Sequence, residues 1–289
     1  MYSKKMQNHT GYPHGVEGDV LNGTQLQSIL SGLERNNLLQ GIGHILTGYI
    51  GSVSFLRAVT NVVKTIRSAT SSHVRYVCDP VLGDNHQFYV PPELVDVYRT
   101  EVIPLADIVT PNQFEVEQLT GIRIRSMEDA QRACQKLHDL GPKLVVITSI
   151  SFPEEEDKET HDKRHPATIA ILASKRGRCK RENADAQEQQ EENNYEIWCI
   201  DSPFIEGVFT GTGDLCAALL LAWTEMESND LQCALEKVIG TMFSVIRRTA
   251  ESVGVTVGSS EVASRELCLI QSKRDIEDPP ALYKAIRLC

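Results

Sequence analysis

His44-Ile45-Leu46-Thr47-Gly48-Tyr49-Ile50 is a short apolar run, and Val74-Arg75-Tyr76-Val77-Cys78-Asp79 is a second one. Between them Ser52 precedes Phe55, Leu56, Val59, Val62, Val63 and Ile66, which recur at helical spacing. The two runs are short and apolar enough for buried strands, the middle has the period of an amphipathic helix, and Ser52 is a fitting N-cap. Pro80 stops the second strand. A strand–helix–strand unit of this kind joins parallel neighbours in one sheet. Further along, the pattern predicts a helix over 93–102, a short strand over 107–110 and a break at Pro111. Ser126 then starts a helix with Asp129 three residues on, an apolar stripe of Ala130, Ala133, Cys134 and Leu137, and a stop at Gly141. Residues 143–148 (KLVVIT) are the next buried strand. The repetition predicts an α/β fold: a mostly parallel central sheet with helices on both faces.

After Ser149 the pattern changes. Residues 167–174 and 195–201 read as two strands facing each other across a long connection. The connection over 175–194 and the stretch 154–166 are polar and almost free of apolar side chains, so both are expected to be disordered surface loops. From Thr212 onward the chain reads as helical, over 215–223 and again over 231–250. No internal repeat and no domain boundary is visible, so residues 1–289 are expected to form one domain.

Composition narrows the function. The chain has 289 residues, 41% hydrophobic and 24% charged, as in ordinary globular proteins. A formal net charge of −10 and a pI near 5.3 argue against general affinity for nucleic acid, whose phosphates attract basic surfaces. A single nucleotide needs only a few local donors and remains allowed. The sequence has no apolar run of membrane-spanning length and no apolar segment behind its first residues, so neither a membrane span nor a secretory signal is expected. The eight cysteines, at 78, 134, 179, 199, 216, 233, 268 and 289, show no C-x-x-C pair. Reduced thiols in a cytoplasmic protein are the expectation.

Gly211-Thr212-Gly213-Asp214 stands immediately before the apolar segment Leu215-Cys216-Ala217-Ala218-Leu219-Leu220-Leu221-Ala222-Trp223. A helix start carries unpaired backbone N–H groups and the positive end of the dipole, so an anion can sit there. An acid beside an anion site would repel phosphate unless it takes a proton from an attacking hydroxyl. Taken alone, the four residues fit an ordinary helix start equally well.

Other polar clusters change that balance. Asp79-Pro80-Val81-Leu82-Gly83-Asp84, Thr110-Pro111-Asn112-Gln113-Phe114-Glu115 and Thr148-Ser149 each follow or end an expected strand. In an open parallel sheet the strand C-termini line one edge, where ligands bind. Asp79, Asp84, Asn112 and Glu115 are hard oxygen donors suited to Mg²⁺.

Together with Asn8-His9-Thr10-Gly11-Tyr12, Leu46-Thr47-Gly48-Tyr49, Tyr89-Val90-Pro91 and the tail Gln271-Ser272-Lys273-Arg274-Asp275-Ile276-Glu277-Asp278-Pro279, these segments make the chain resemble eukaryotic pyridoxal kinases over nearly its whole length. The resemblance implies a ribokinase-like three-layer sandwich and ATP-dependent phosphorylation of the 5′-hydroxymethyl group of pyridoxal, pyridoxine or pyridoxamine. It implies Asp214 as the base and the amides of Gly211, Thr212 and Gly213 as an anion hole. Asp79, Asp84 and Glu115 would hold Mg²⁺, directly or through water. Asn112, Thr148, Ser149, Thr212 and Tyr89 would meet ATP, Tyr89 from a loop that covers it. Thr10 and Tyr49 would contact the substrate ring beside Asp214. A monovalent cation (K⁺ or Na⁺), a homodimer and a cytoplasmic location complete what the resemblance implies.

The front of the chain departs from the family pattern. Members place a strand, a serine- and glycine-containing turn and a helix before the Asn-His-Thr-Gly-Tyr motif, whereas nine residues precede Thr10 here. A shortened isoform, an incompletely read gene and a divergent variant with the strand supplied otherwise all fit this. A catalytically impaired homologue that binds nucleotide or dimerises, and another ribokinase-like kinase such as one for hydroxymethylpyrimidine, are the alternatives. The cover loop 85–88 is also short, and the polar insertion before Tyr195 is long.

Overall fold

The strands on either side of Ser52 lie next to each other, parallel and in register from His44↔Arg75 to Thr47↔Cys78. The computed structural model describes residues 21–152, 168–177, 195–253 and 266–288. In chain order its elements are α1 (Gly23–Arg35), β1 (His44–Thr47), α2 (Val53–Ala69), β2 (Arg75–Cys78), β3 (Gly83–Asp84) and β4 (Gln87–Phe88). α3 (Leu94–Val97) continues through a π-helical turn (Tyr98–Val102) and a 3₁₀ turn (Ile103–Leu105). Then come β5 (Ile108–Val109), α4 (Gln113–Thr120), α5 (Met127–Asp139), β6 (Leu144–Ile150), β7 (Thr168–Arg176) and β8 (Tyr195–Pro203). α6 (Thr212–Met226), α7 (Leu231–Val253), α8 (Lys273–Glu277) and β9 (Ile286–Arg287) close the order.

One sheet runs β1-β2-β5-β6-β7-β8-β9. β1, β2, β5 and β6 are parallel, the core that the βα repeats predict. β7, β8 and β9 add on antiparallel. Successive side chains of a strand point to opposite faces, and both faces here are covered. Tyr76, Cys78, Val145 and Ile147 pack with Leu56, Val63, Tyr98, Leu119 and Leu137 on one side. Val77, Leu144 and Val146 pack with Leu219, Leu220, Leu235 and Val238 of α6 and α7 on the other. Burial on two faces is why these strands read as unbroken apolar runs. The arrangement is the three-layer α/β sandwich.

Local signals act as expected at two starts. Ser52 Oγ accepts the Phe55 N–H at 3.3 Å, and Ser126 Oγ accepts that of Asp129 at 3.3 Å. Asp129 reaches back one residue further than a capping box, to the Arg125 N–H at 3.0 Å.

One boundary needs correcting. The polar connection expected from residue 175 begins later, because Lys175 and Arg176 still belong to β7, opposite Glu196 and Tyr195. Ladder hydrogen bonds come from the backbone and do not require apolar side chains. Arg176 also donates to the His138 carbonyl at 2.6 Å. Residues 178–194, and 154–166, lie outside the described residues. Among the described residues no helix is long and apolar enough to cross a membrane.

Candidate active site

α6 is the exception among the longer helices in how it begins. α1, α2, α4 and α5 start at Asn22, Ser52, Asn112 and Ser126, each accepting a backbone N–H in the first turn. α6 starts at Gly211, whose φ of 87° lies in the left-handed region and which has no side chain to cap with. Its first amides are therefore open to an external anion.

Two neighbours locate this end relative to the sheet. A Cβ on Gly48, just past β1, would lie 3.0 Å from Asp214 Oδ1. A Cβ on Gly213 would lie 3.3 Å from Asp79 Oδ2, at the end of β2. Asp214 is solvent-exposed, while Asp79 is buried. Gly48 is a site residue that residue chemistry missed, since it carries no functional group. Its signal is the lack of room beside Asp214.

Glu115 lies beneath the next loop, 3% exposed. Its Oε1 accepts the N–H of Leu82 at 2.9 Å and more weakly that of Gly83 at 3.5 Å, and Oε2 accepts that of Asn112 at 2.9 Å. Asn112 accepts the Glu115 N–H at 2.9 Å and donates from Nδ2 to the Gly83 carbonyl at 2.8 Å. This reciprocal capping box starts α4. Asp84 is exposed on β3 and accepts from the Asn85 backbone at 2.8 Å.

Burial pushes the Asp79 carboxyl up to about 7, with the Asp214 charge adding to it. The buried Thr110 hydroxyl beside it works the other way, without a hydrogen bond of good geometry. Burial pushes Glu115 up to about 8, Asp79 adds to it, and the three amides oppose. Among the described residues, no basic side chain is among the main groups that shift either acid. Among the described residues, no group of three or more His, Cys, Asp or Glu side chains is arranged to hold a metal ion by itself.

Thr148 and Ser149 sit where β6 departs from regular pairing. Ile147 pairs with Leu172 and Ile150 with Ala170, so two residues of β6 stand against one of β7. The irregularity is confined to the β7 side: on the other side the Thr148 N–H donates to the Pro111 carbonyl at 3.0 Å, which continues the parallel β5–β6 register up to the α4 start. Tyr49 is 46% exposed beyond β1, its hydroxyl 3.0 Å from where a Gly51 Cβ would be. Tyr89 follows β4, and burial raises its pKa, with smaller effects from Asp84 and Glu115. An isolated bridge between Thr210 and Glu266 also brings the tail alongside the approach to α6. Thr10 lies outside the described residues.

Gly48, Asp79, Asn112, Thr148 and the α6 start thus stand at the C-terminal ends of the parallel strands, the edge where open α/β sheets bind ligands. An exposed carboxylate at an open helix end can take a proton while the amides hold an anion.

Known proteins are similar to this chain over nearly its whole length. Residues 36–183 match the sequence model of the Phosphomethylpyrimidine kinase family. The chain is 43% identical to the pyridoxal kinase of Arabidopsis thaliana, over 99% of this chain and 83% of that one. It is 40% identical to the pyridoxal kinase of Homo sapiens, over 98% of this chain and 86% of that one. Among solved structures, pyridoxal kinase from Leishmania donovani in complex with ADP and pyridoxamine superimposes with a TM-score of 0.79 at 29% identity, covering 98% of this chain and 86% of that one. The same protein with ADP and pyridoxine gives a TM-score of 0.79 at 28% identity, with the same coverage. With this sheet, this open helix start and this extent of identity, the chain belongs to the pyridoxal kinases of the ribokinase-like superfamily.

Proposed function

We propose that the chain transfers the γ-phosphoryl group of ATP to the 5′-hydroxymethyl group of pyridoxal, pyridoxine or pyridoxamine. The observation that carries this is Asp214 at the uncapped start of α6, its carboxylate against Gly48 and beside Asp79. Asp214 takes the hydroxyl proton as the oxygen attacks the γ-phosphorus and the bond to ADP breaks. The amides of Gly211, Thr212 and Gly213 stabilise the charge on the transferring group. Asn112, Thr148, Ser149 and Tyr89 line the nucleotide side together with Thr212. Tyr49 and Thr10 meet the vitamer ring. The whole of 1–289 serves as one kinase domain.

The acids suit a divalent cation. Asp79 and Glu115 are buried carboxyls with raised pKa values and, among the described residues, no basic side chain among the main groups shifting them, a donor set that a bound cation would ionise. Mg²⁺ keeps several waters and the substrate phosphates as ligands, so it needs no preformed cage of three side chains. Asp79 is the candidate for closest approach. Glu115, with both oxygens already accepting amides, would act through water, and Asp84 would join from the hairpin. When bound, Mg²⁺ neutralises charge on the phosphates. K⁺ or Na⁺ as a second cation, a homodimer and a cytoplasmic location belong to the same reading.

The test is purified chain with MgATP and pyridoxal, followed by pyridoxal 5′-phosphate formation, beside Asp214→Asn. Loss of the base should lower kcat by roughly 10²- to 10⁴-fold. Phosphorylation of hydroxymethylpyrimidine with pyridoxal untouched would overturn the substrate assignment.

A further inference from the structure

The first turn of α4 grips the β3–β4 hairpin with an aromatic ring that no step above uses. Phe114 is 7% exposed. Its ring meets Phe88 edge-to-face at 5.1 Å and 74°, and meets His86 at 6.4 Å and 87°. The hairpin backbone comes close to it: a Cβ on Gly83 would lie 2.8 Å from the Phe114 ring and 2.0 Å from the Gln87 carbonyl oxygen. No side chain fits there. Asn85 and His86 form the connection with φ of 48° and 61°, the left-handed pair that a two-residue type I′ turn demands. The hairpin is therefore a built element with a fixed turn. On either side of Phe114, Asn112 holds the Gly83 carbonyl and Glu115 the Leu82 N–H. Pro111, one residue before, holds the β6 bulge through Thr148. One helix start thus ties both the hairpin and the bulge.

We propose that Phe114 is a positioning residue. Through its edge-to-face contact with Phe88 it sets the hairpin, and with it Asp84 and Tyr89, over the nucleotide side of the site. This rests on the kinase reading above. Phe88 is 38% exposed, so the contact can be removed from the hairpin side without opening the core.

Phe88→Ala and Phe114→Leu should each raise KM for MgATP and the calorimetric Kd of MgADP about 3- to 10-fold, with kcat and KM for pyridoxal within about twofold of wild type. Phe88→Tyr, which keeps the ring, should restore wild-type values. The double variant Phe88→Ala/Phe114→Leu should be no weaker than the worse single variant, because the two act through one contact. Unchanged nucleotide KM and Kd in Phe88→Ala would overturn the proposal. So would additive losses in the double variant, or a parallel fall in kcat and in affinity for both substrates. A wild-type chain that binds MgADP but forms no pyridoxal 5′-phosphate would sink the kinase reading alone, and the Kd values would still decide the role of Phe114. A wild-type chain that does not bind MgADP overturns both.

Discussion

At the scale of single residues, Gly48 and Asp214 set the tightest condition on the site. At 3.0 Å from Asp214 Oδ1, a Gly48 Cβ would be tight enough to make the carboxylate give way by roughly a few tenths of an ångström. A displacement near 1 Å at a reacting group can cost on the order of 10²-fold, and this smaller shift correspondingly less. Gly48→Ala should therefore lower kcat for pyridoxal by about 2- to 10-fold while leaving the Kd of MgADP unchanged. Steady-state kinetics paired with calorimetry checks this, and a wild-type kcat would mean that Asp214 has slack. His138 is a different case, buried far from the phosphate chemistry. Its Nδ1 contacts the Pro142 carbonyl at 2.8 Å and Nε2 the Ser174 hydroxyl at 2.9 Å, and its ring stacks on Tyr195 at 4.8 Å. The neutral ring meets both by donating from Nδ1 and accepting at Nε2. Burial, with the Arg176 charge adding, lowers its pKa from the ordinary 6.5. The unfolded chain therefore binds this proton more readily than the folded one below pH 6.5. The stabilisation is whole above that value and is lost as pH falls toward and through the folded pKa. Urea midpoints between pH 8 and 5 should fall more steeply for wild type than for His138→Gln. Equal slopes would exclude His138 as the source.

At the scale of elements, the contrast between capped and uncapped helices separates structure from chemistry. Asn112 closes α4 and holds the hairpin carbonyl, so Asn112→Ala removes two bonds at one end. A cost of roughly 1–2 kcal/mol in ligand-free stability is expected, read from the urea midpoint. No change would show that the box is replaced by solvent. Asn22 with Gln25 forms the same kind of box at the start of α1, and neither box was recognised in the sequence. Neither helix is evident from apolar spacing. Only Leu30 is fully buried in α1, and α4 is eight residues long with buried side chains around much of its circumference. β3, β4 and β9 have two residues each, too few for any period to emerge. α2, α5 and β6 were readable because each carries a continuous apolar stripe or run into a core.

At the scale of the whole molecule, the sheet edge gathers Asp79, Glu115 and Asp214 from three separate parts of the chain. Asp79 raises the carboxyl of Glu115, and Asp214 raises that of Asp79. A ligand carrying a cation should relieve this repulsion and favour the folded state. MgADP at about 100 times its Kd should stabilise the chain by roughly 2.7 kcal/mol. Asp79→Asn should lose most of that gain at the same ligand concentration, because the site then lacks the buried carboxylate at the end of β2 beside the helix start. Differential scanning calorimetry with and without MgADP measures both. Full MgADP stabilisation in the variant would remove Asp79 from the cation site.

The alternation of apolar strands and helices, with Ser52 and Ser126 as caps, was enough to determine the α/β class and the parallel core. Two-sided burial writes itself into composition as continuous apolar runs. The sequence also marked Asp79, Asn112, Thr148 and Asp214 as polar clusters at strand and helix ends. What only the tertiary structure decided is how they meet. Gly48 lies against Asp214, both Glu115 oxygens are taken by backbone amides, and the Thr148 N–H bonds the Pro111 carbonyl where β6 loses its regular pairing with β7. These contacts join residues far apart in the chain through backbone geometry, and backbone geometry leaves little trace in side-chain pattern.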